Sequence, residues 1–225
     1  PMRYLLVAII GLVLGVAGAG AALYYNPLAE KSGAVPGGTN RVLHYSLPDQ
    51  VLEFALGEDA SLFGQETGDD SLWEETIDRA GVLALVLNDG SNQPAAIASR
   101  LLSTSPDTDL LLNGVLVSDD WLVTIPGEGS FYVHADWNAW PFLKEKLVPV
   151  WYLDQPWTGP AEYWPTVGPG ADDGADVVGL TGSFHGSEGS AVEHYEITAL
   201  DPARKIAQAK GELYLNLPGP QVAAQ

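Results

Sequence analysis

Cysteine is absent from the 225 residues, which excludes a disulfide framework, a thiolate metal site and a thiol nucleophile. Basic residues are few, with 10 Lys and Arg against 29 Asp and Glu and a formal net charge of −19. No basic tract occurs, and a surface of that sign repels nucleic acid and anionic headgroups, so a nucleic-acid partner is excluded. Solubility is the plainest reading of the acidity. Histidine appears only four times, and HExxH, GxSxG and the glycine-rich phosphate loop are all missing. The sequence therefore predicts neither an enzyme nor a cofactor.

One long apolar run is present. Tyr4 to Tyr25 contains 22 residues without a charge. As a helix at roughly 1.5 Å per residue it spans about 33 Å, against about 30 Å for a bilayer core. Residues 1–25 are thus expected to form a transmembrane anchor. A cleavable secretory signal competes, because Arg3 precedes the run and Ala17-Gly18-Ala19 or Ala19-Gly20-Ala21 has the small residues of a cleavage site. Ala8, Gly11, Gly15, Gly18, Ala19 and Ala22 share much of one helical face, a spacing that lets a second helix approach closely. Integral membrane subunits are the expected partners of that face, and the lipid bilayer surrounds the rest. Three residues precede the run, the layout of a signal anchor that translocates the C-terminal part of its chain. The expected location is a bacterial inner (cytoplasmic) membrane, single-pass, with the N-terminus cytoplasmic and the C-terminal domain periplasmic or extracellular.

Residues 26–40, with Pro27, Gly33, Pro36, Gly37 and Gly38, form a linker. A β-rich domain is expected over 41–218, with a tail at 219–225. Strand-length apolar or alternating runs lie at 51–56, 82–88, 95–103, 109–117, 121–125, 130–135, 176–184, 191–200 and 205–217. Turn residues separate them at 88–90, 105–107, 118–120 and 126–129. Short connections favour antiparallel neighbours, hence a meander closed into a barrel or folded into a sandwich. Two short helices interrupt it. One carries a capping box, Ser71 and Glu74, and stops at Gly81; the other covers 138–147. The stretch 168–176 is the expected long loop between two groups of strands.

Six of the seven tryptophans fall between Trp121 and Trp164. Trp137, Trp140, Trp151, Trp157 and Trp164 are candidate contacts for a partner or ligand, with core packing as the competing role. His134 and Asp136 have strand spacing, and His194 stands beside Glu193 and two residues before Glu196, so a metal or general-base site would require those strands to meet. Asp172, Asp173 and Asp176 supply oxygen ligands without matching a calcium loop. These are weak metal candidates. The sequence favours a non-enzymatic accessory or scaffold subunit of a larger membrane complex, which docks by its small-residue helix and covers or bridges the complex with an acidic β-domain. The alternatives are a tethered protein binding a lipid, pigment or sugar in a tryptophan-rich barrel mouth, and a tethered metal-dependent hydrolase.

Overall fold

The computed structural model describes residues 2–24, 38–47, 81–105, 108, 114–153, 156–166, 174–201 and 206–217. Helix α1 covers Met2–Tyr24. Its side chains are described at residues 11–22 and 24, and all of these are exposed. Among the described residues no helix is long and apolar enough to cross a membrane. The transmembrane span expected over Tyr4–Tyr25 therefore rests on the sequence.

The domain is mainly β. Its strands are β1 (Arg41–Ser46), β2 (Gly81–Asn88), β3 (Pro94–Thr104), β4 (Leu116–Ile125), β5 (Gly129–Asn138), β6 (Trp157–Tyr163), β7 (Ala175–Gly179), β8 (Glu188–Asp201) and β9 (Ile206–Asn216). Omitting β6, each strand pairs antiparallel with the next along the chain, and β9 returns to pair with β1. The result is a closed eight-stranded barrel rather than a sandwich, and closure removes the exposed edges that an open sheet would present. Strand β8 is long enough to serve three neighbours. From Ser190 to its end it pairs with β9, its start pairs with β7, and its later half with β6.

Local chemistry explains the tight turns. Between β4 and β5, Pro126 fixes the first turn position and Gly127 takes φ +81° at the second, while the Glu128 N–H donates to the Ile125 carbonyl at 3.1 Å. This is the proline-glycine pattern of a type II turn. Between β2 and β3, Asp89 Oδ1 accepts from the N–H groups of Ser91 and Gln93 at 2.8 and 3.0 Å. Alternation then sends Phe131, Val133 and Ala135 of β5 inward, and Leu213 and Leu215 of β9 beside them. Each such aliphatic or aromatic burial stabilises by roughly 1.5–3 kcal/mol.

One end of the barrel is capped by helix α2, which runs as Trp140–Phe142, a π-helical turn Leu143–Leu147, and Val148–Leu153. Leu143, Leu147 and Val150 pack on Val117, Ile197, Leu200, Ala207 and Ala209, forming a second apolar cluster. The helix expected at 138–147 is thus longer and continues through Pro149. A proline lacks the N–H and collides with the carbonyl four residues back; the wider turn before it, where the Val148 N–H reaches Leu143 O, relieves that conflict.

Other expectations change. Ser118-Asp119-Asp120 is not a turn but the middle of β4. The strand expected at 109–117 begins, within the described residues, at Leu116. Residues 157–163, outside the expected strands, form β6. Its bulge near Pro160 and its place at the sheet margin accommodate the missing N–H. The run expected at 176–184 is strand only to Gly179 and then a 3₁₀ turn, Gly182–Phe184. The strand expected at 51–56 and the helix capped by Ser71 lie outside the described residues, as do most of the loop at 168–176 and the tail at 219–225.

Candidate functional site

The interior of the barrel holds a charged network. Strand β3 points Arg100 inward, β4 points Asp119 inward, and β8 adds Glu193; their side chains are 0 %, 0 % and 1 % exposed. Arg100 Nε donates to Asp119 at 2.9 and 3.1 Å, and Nη2 donates both to Asp119 and to Glu193 Oε2, the latter at 2.9 Å. Its Nη1 donates to the hydroxyls of Tyr195 and Tyr45. All five guanidinium N–H groups can thereby be satisfied. The Tyr45 hydroxyl in turn donates to Glu193 Oε1, and the guanidinium lies over the Trp121 ring at 4.3 Å, a desolvated cation–π contact.

Room for Tyr45 comes from Gly211, its partner across the β1–β9 ladder, where a Cβ would fall within the phenol ring. Burial raises the Glu193 carboxyl to about 7, with Arg100 opposing and Asp119 adding to the rise. Asp119 is also raised by burial, against the pull of Arg100. Burial and Glu193 push the Tyr45 phenol well above its ordinary range. Burial would lower Arg100, yet Asp119 and Glu193 overcome it and hold the guanidinium charged.

Three of the four histidines lie on the outer wall in two groups, and the fourth, His185, hydrogen-bonds the Leu180 carbonyl group beyond β7. His134 of β5 faces Asp120 of β4 in register, Nδ1 to Oδ1 2.6 Å, and that hydrogen bond raises its pKa. Asp136 points to the same outer side, and Asp176 stands opposite His134 on β7. In the other group, Glu212 of β9 is flanked in register by His44 of β1 and His194 of β8, at 3.3 and 3.4 Å, and Tyr214 donates to it at 2.5 Å. Tyr214 lowers the Glu212 pKa most. The two groups do not meet: Asp176, beside His134, pairs with Ser190, four residues before His194. Among the described residues no set of three or more ligating side chains could hold a metal ion. Asp172 and Asp173 lie outside the described residues.

The tryptophans divide. Trp121 is core. Trp137, Trp140 and Trp157 are half-buried around the α2 cap, and among the described residues the indole N–H groups of Trp137 and Trp140 reach no acceptor. Trp164 lies against His194 in a tilted contact, centroids 4.5 Å apart, and stacks on Tyr214 at 6.1 Å. The side chain of Trp151 is outside the described set. A cleft of about 300 Å³ opens at the end opposite α2, lined by Arg41, Glu128, Phe131 and Phe184 among others, with no tryptophan. In α1, Gly11, Gly15 and Gly18 have nothing within 4 Å of where a Cβ would sit, and Ala19 and Ala22 are exposed. Ala8 precedes the described side chains.

Sequence reasoning missed one surface. Along β2 and β3, Val82 stands opposite Leu101, Ala84 opposite Ser99 and Val86 opposite Ile97; Ser99 in turn meets Leu122 of β4. Val82, Val86 and Ile97 are 65 %, 56 % and 61 % exposed, and Leu101 and Leu122 are also exposed. The signal was the alternation of these strands, whose outward positions carry no ionisable side chain on β2 and β3. These side chains lie on three neighbouring strands and together form one uncharged apolar stretch of the outer wall. No family model, no curated protein and no solved structure matches the chain, so its reading rests on the network, the patch and the helix themselves.

Proposed function

We propose that this chain is a non-enzymatic accessory subunit of a membrane protein complex, anchored by Met2–Tyr24 and docking on an integral membrane partner through the outer face of β2, β3 and β4. The apolar patch carries the reading. On a chain of net charge −19, anionic partners are repelled, and an uncharged face built from Val82, Val86, Ile97, Leu101 and Leu122 is where dry contact is least opposed. The anchor is supported by the 22 uncharged residues from Tyr4 to Tyr25 and by Leu12, Val13, Leu14 and Val16, whose side chains lie exposed on α1 as lipid-facing residues would. Small residues at Gly11, Gly15 and Ala19 suit close packing against a second helix. The Tyr24 ring lies 5.8 Å from Lys144 Nζ of α2, which favours the capped end of the barrel as the end nearer the membrane.

The test is native purification from detergent-solubilised membranes with Val86→Asp and Ile97→Asp combined. Both side chains are more than half exposed, so the unfolding midpoint should stay near that of the wild type while co-purifying subunits are lost. Undiminished co-purification would remove the patch from the interface. Gly11→Leu with Gly15→Leu should retain membrane insertion and weaken the same association, separating the helix from the barrel face.

A further inference from the structure

We propose that the interior of the barrel is a proton-binding site, in which Glu193 holds one proton in mild acid and gives it up, at a cost to the closed barrel, as the pH rises through neutrality. Charge parity carries this inference. Two carboxyl groups, Asp119 and Glu193, share a single guanidinium in a space from which water is excluded, all three side chains being at most 1 % exposed. Fully ionised, the cluster would bury an uncompensated negative charge, which a low-dielectric interior strongly disfavours.

The geometry selects the carboxyl that keeps the proton. Asp119 receives Arg100 through both Nε and Nη2, whereas Glu193 receives it through Nη2 alone. Its other oxygen, Oε1, faces the Tyr45 hydroxyl, a contact that survives protonation because a phenol oxygen can accept as well as donate. The titratable and charged groups around Glu193 are Tyr45 on β1, Arg100 on β3, Asp119 on β4 and Tyr195 on β8. Both phenols are themselves raised by burial, so neither ionises to add a further negative charge in the neutral range. Burial lifts the Glu193 carboxyl from 4.5 to about 7. A carboxyl raised in the folded state gives stability that is complete below its ordinary value and is lost as the pH climbs through the folded one. The barrel is therefore tightest in mild acid. This inference does not depend on the docking face.

The experiment is a pH titration of the full chain in detergent by infrared spectroscopy, in about 0.5 M salt so that the surface carboxylates are screened from one another. A protonated-carboxyl C=O band should persist at pH 6, where exposed carboxyls are ionised, disappear with a midpoint near 7, and be missing in Glu193→Gln. In parallel, the urea midpoint of the wild type should fall between pH 5 and pH 8 while that of Glu193→Gln stays level. Absence of the band at pH 6, or its survival in Glu193→Gln, overturns the proposal. If Glu193→Gln does not fold, Tyr45→Phe decides: it keeps the ring and removes the hydroxyl at Oε1, so the band midpoint must move. An unmoved midpoint assigns the proton elsewhere and overturns the proposal equally.

Discussion

The inner and outer walls of β3 have exchanged their usual characters. Inward go Ala96, Ala98 and the fully buried Arg100; outward go Ile97, Ser99 and Leu101. The nearby β5 is conventional, with Phe131, Val133 and Ala135 inside and Tyr132, His134 and Asp136 outside. A one-residue slip of β3 would bring Ile97 and Leu101 into the core and expose Arg100, since side chains alternate with period two. The charge network opposes the slip, because Asp119 and Glu193 are already buried and would lose the cation between them. On this strand, then, polar pairing favours the observed register, and the apolar residues on the opposite face form the exposed patch.

Arg100→Met should damage the inner wall most severely. It leaves the buried Asp119 carboxylate without its counter-charge and Glu193 without a donor, a change that costs about 3–5 kcal/mol when one partner of a buried pair is removed. Urea unfolding at neutral pH would register it, and adding Asp119→Asn and Glu193→Gln should recover much of the loss. A single mutant within about 1 kcal/mol of wild type would show that water reaches the site. Gly211→Ala comes next. The new methyl meets the Tyr45 ring, an overpacking that costs roughly 1–3 kcal/mol, and near-ultraviolet circular dichroism should report the displaced phenol; truncating Tyr45 to alanine as well should relieve the clash.

The smallest effect belongs to the outer wall. His134 is 45 % exposed beside Asp120, so His134→Ala should alter stability by no more than about 0.5 kcal/mol. The Asp120 hydrogen bond raises the His134 pKa, so its small contribution is present below the ordinary histidine value of 6.5 and fades as pH rises through the folded one. Wild type and variant should therefore converge in alkali. Persistent divergence there would mean that the neutral imidazole has a further role.

Much of this architecture was legible in the chain. The runs at 82–88, 95–103, 130–135, 191–200 and 205–217 became strands within a few residues, because alternating apolar residues between turn formers have few other solutions. The Pro126-Gly127 turn came from backbone sterics alone, and the absence of cysteine and catalytic motifs bounded the chemistry before any fold was known. Tertiary structure decided the rest. Asp119 sits in a Ser-Asp-Asp run that carries turn chemistry, yet the run is paired with β3 on one side and β5 on the other, and Arg100, nineteen residues away in sequence, receives its buried carboxylate. Closure by β1 on β9 joins Arg41 to Leu215, a pairing with no local signature. Which side of β3 faces inward was likewise invisible, because hydrophobic patterning favours Ile97 and Leu101, and a buried charge can outweigh that preference only when its partners arrive from other strands.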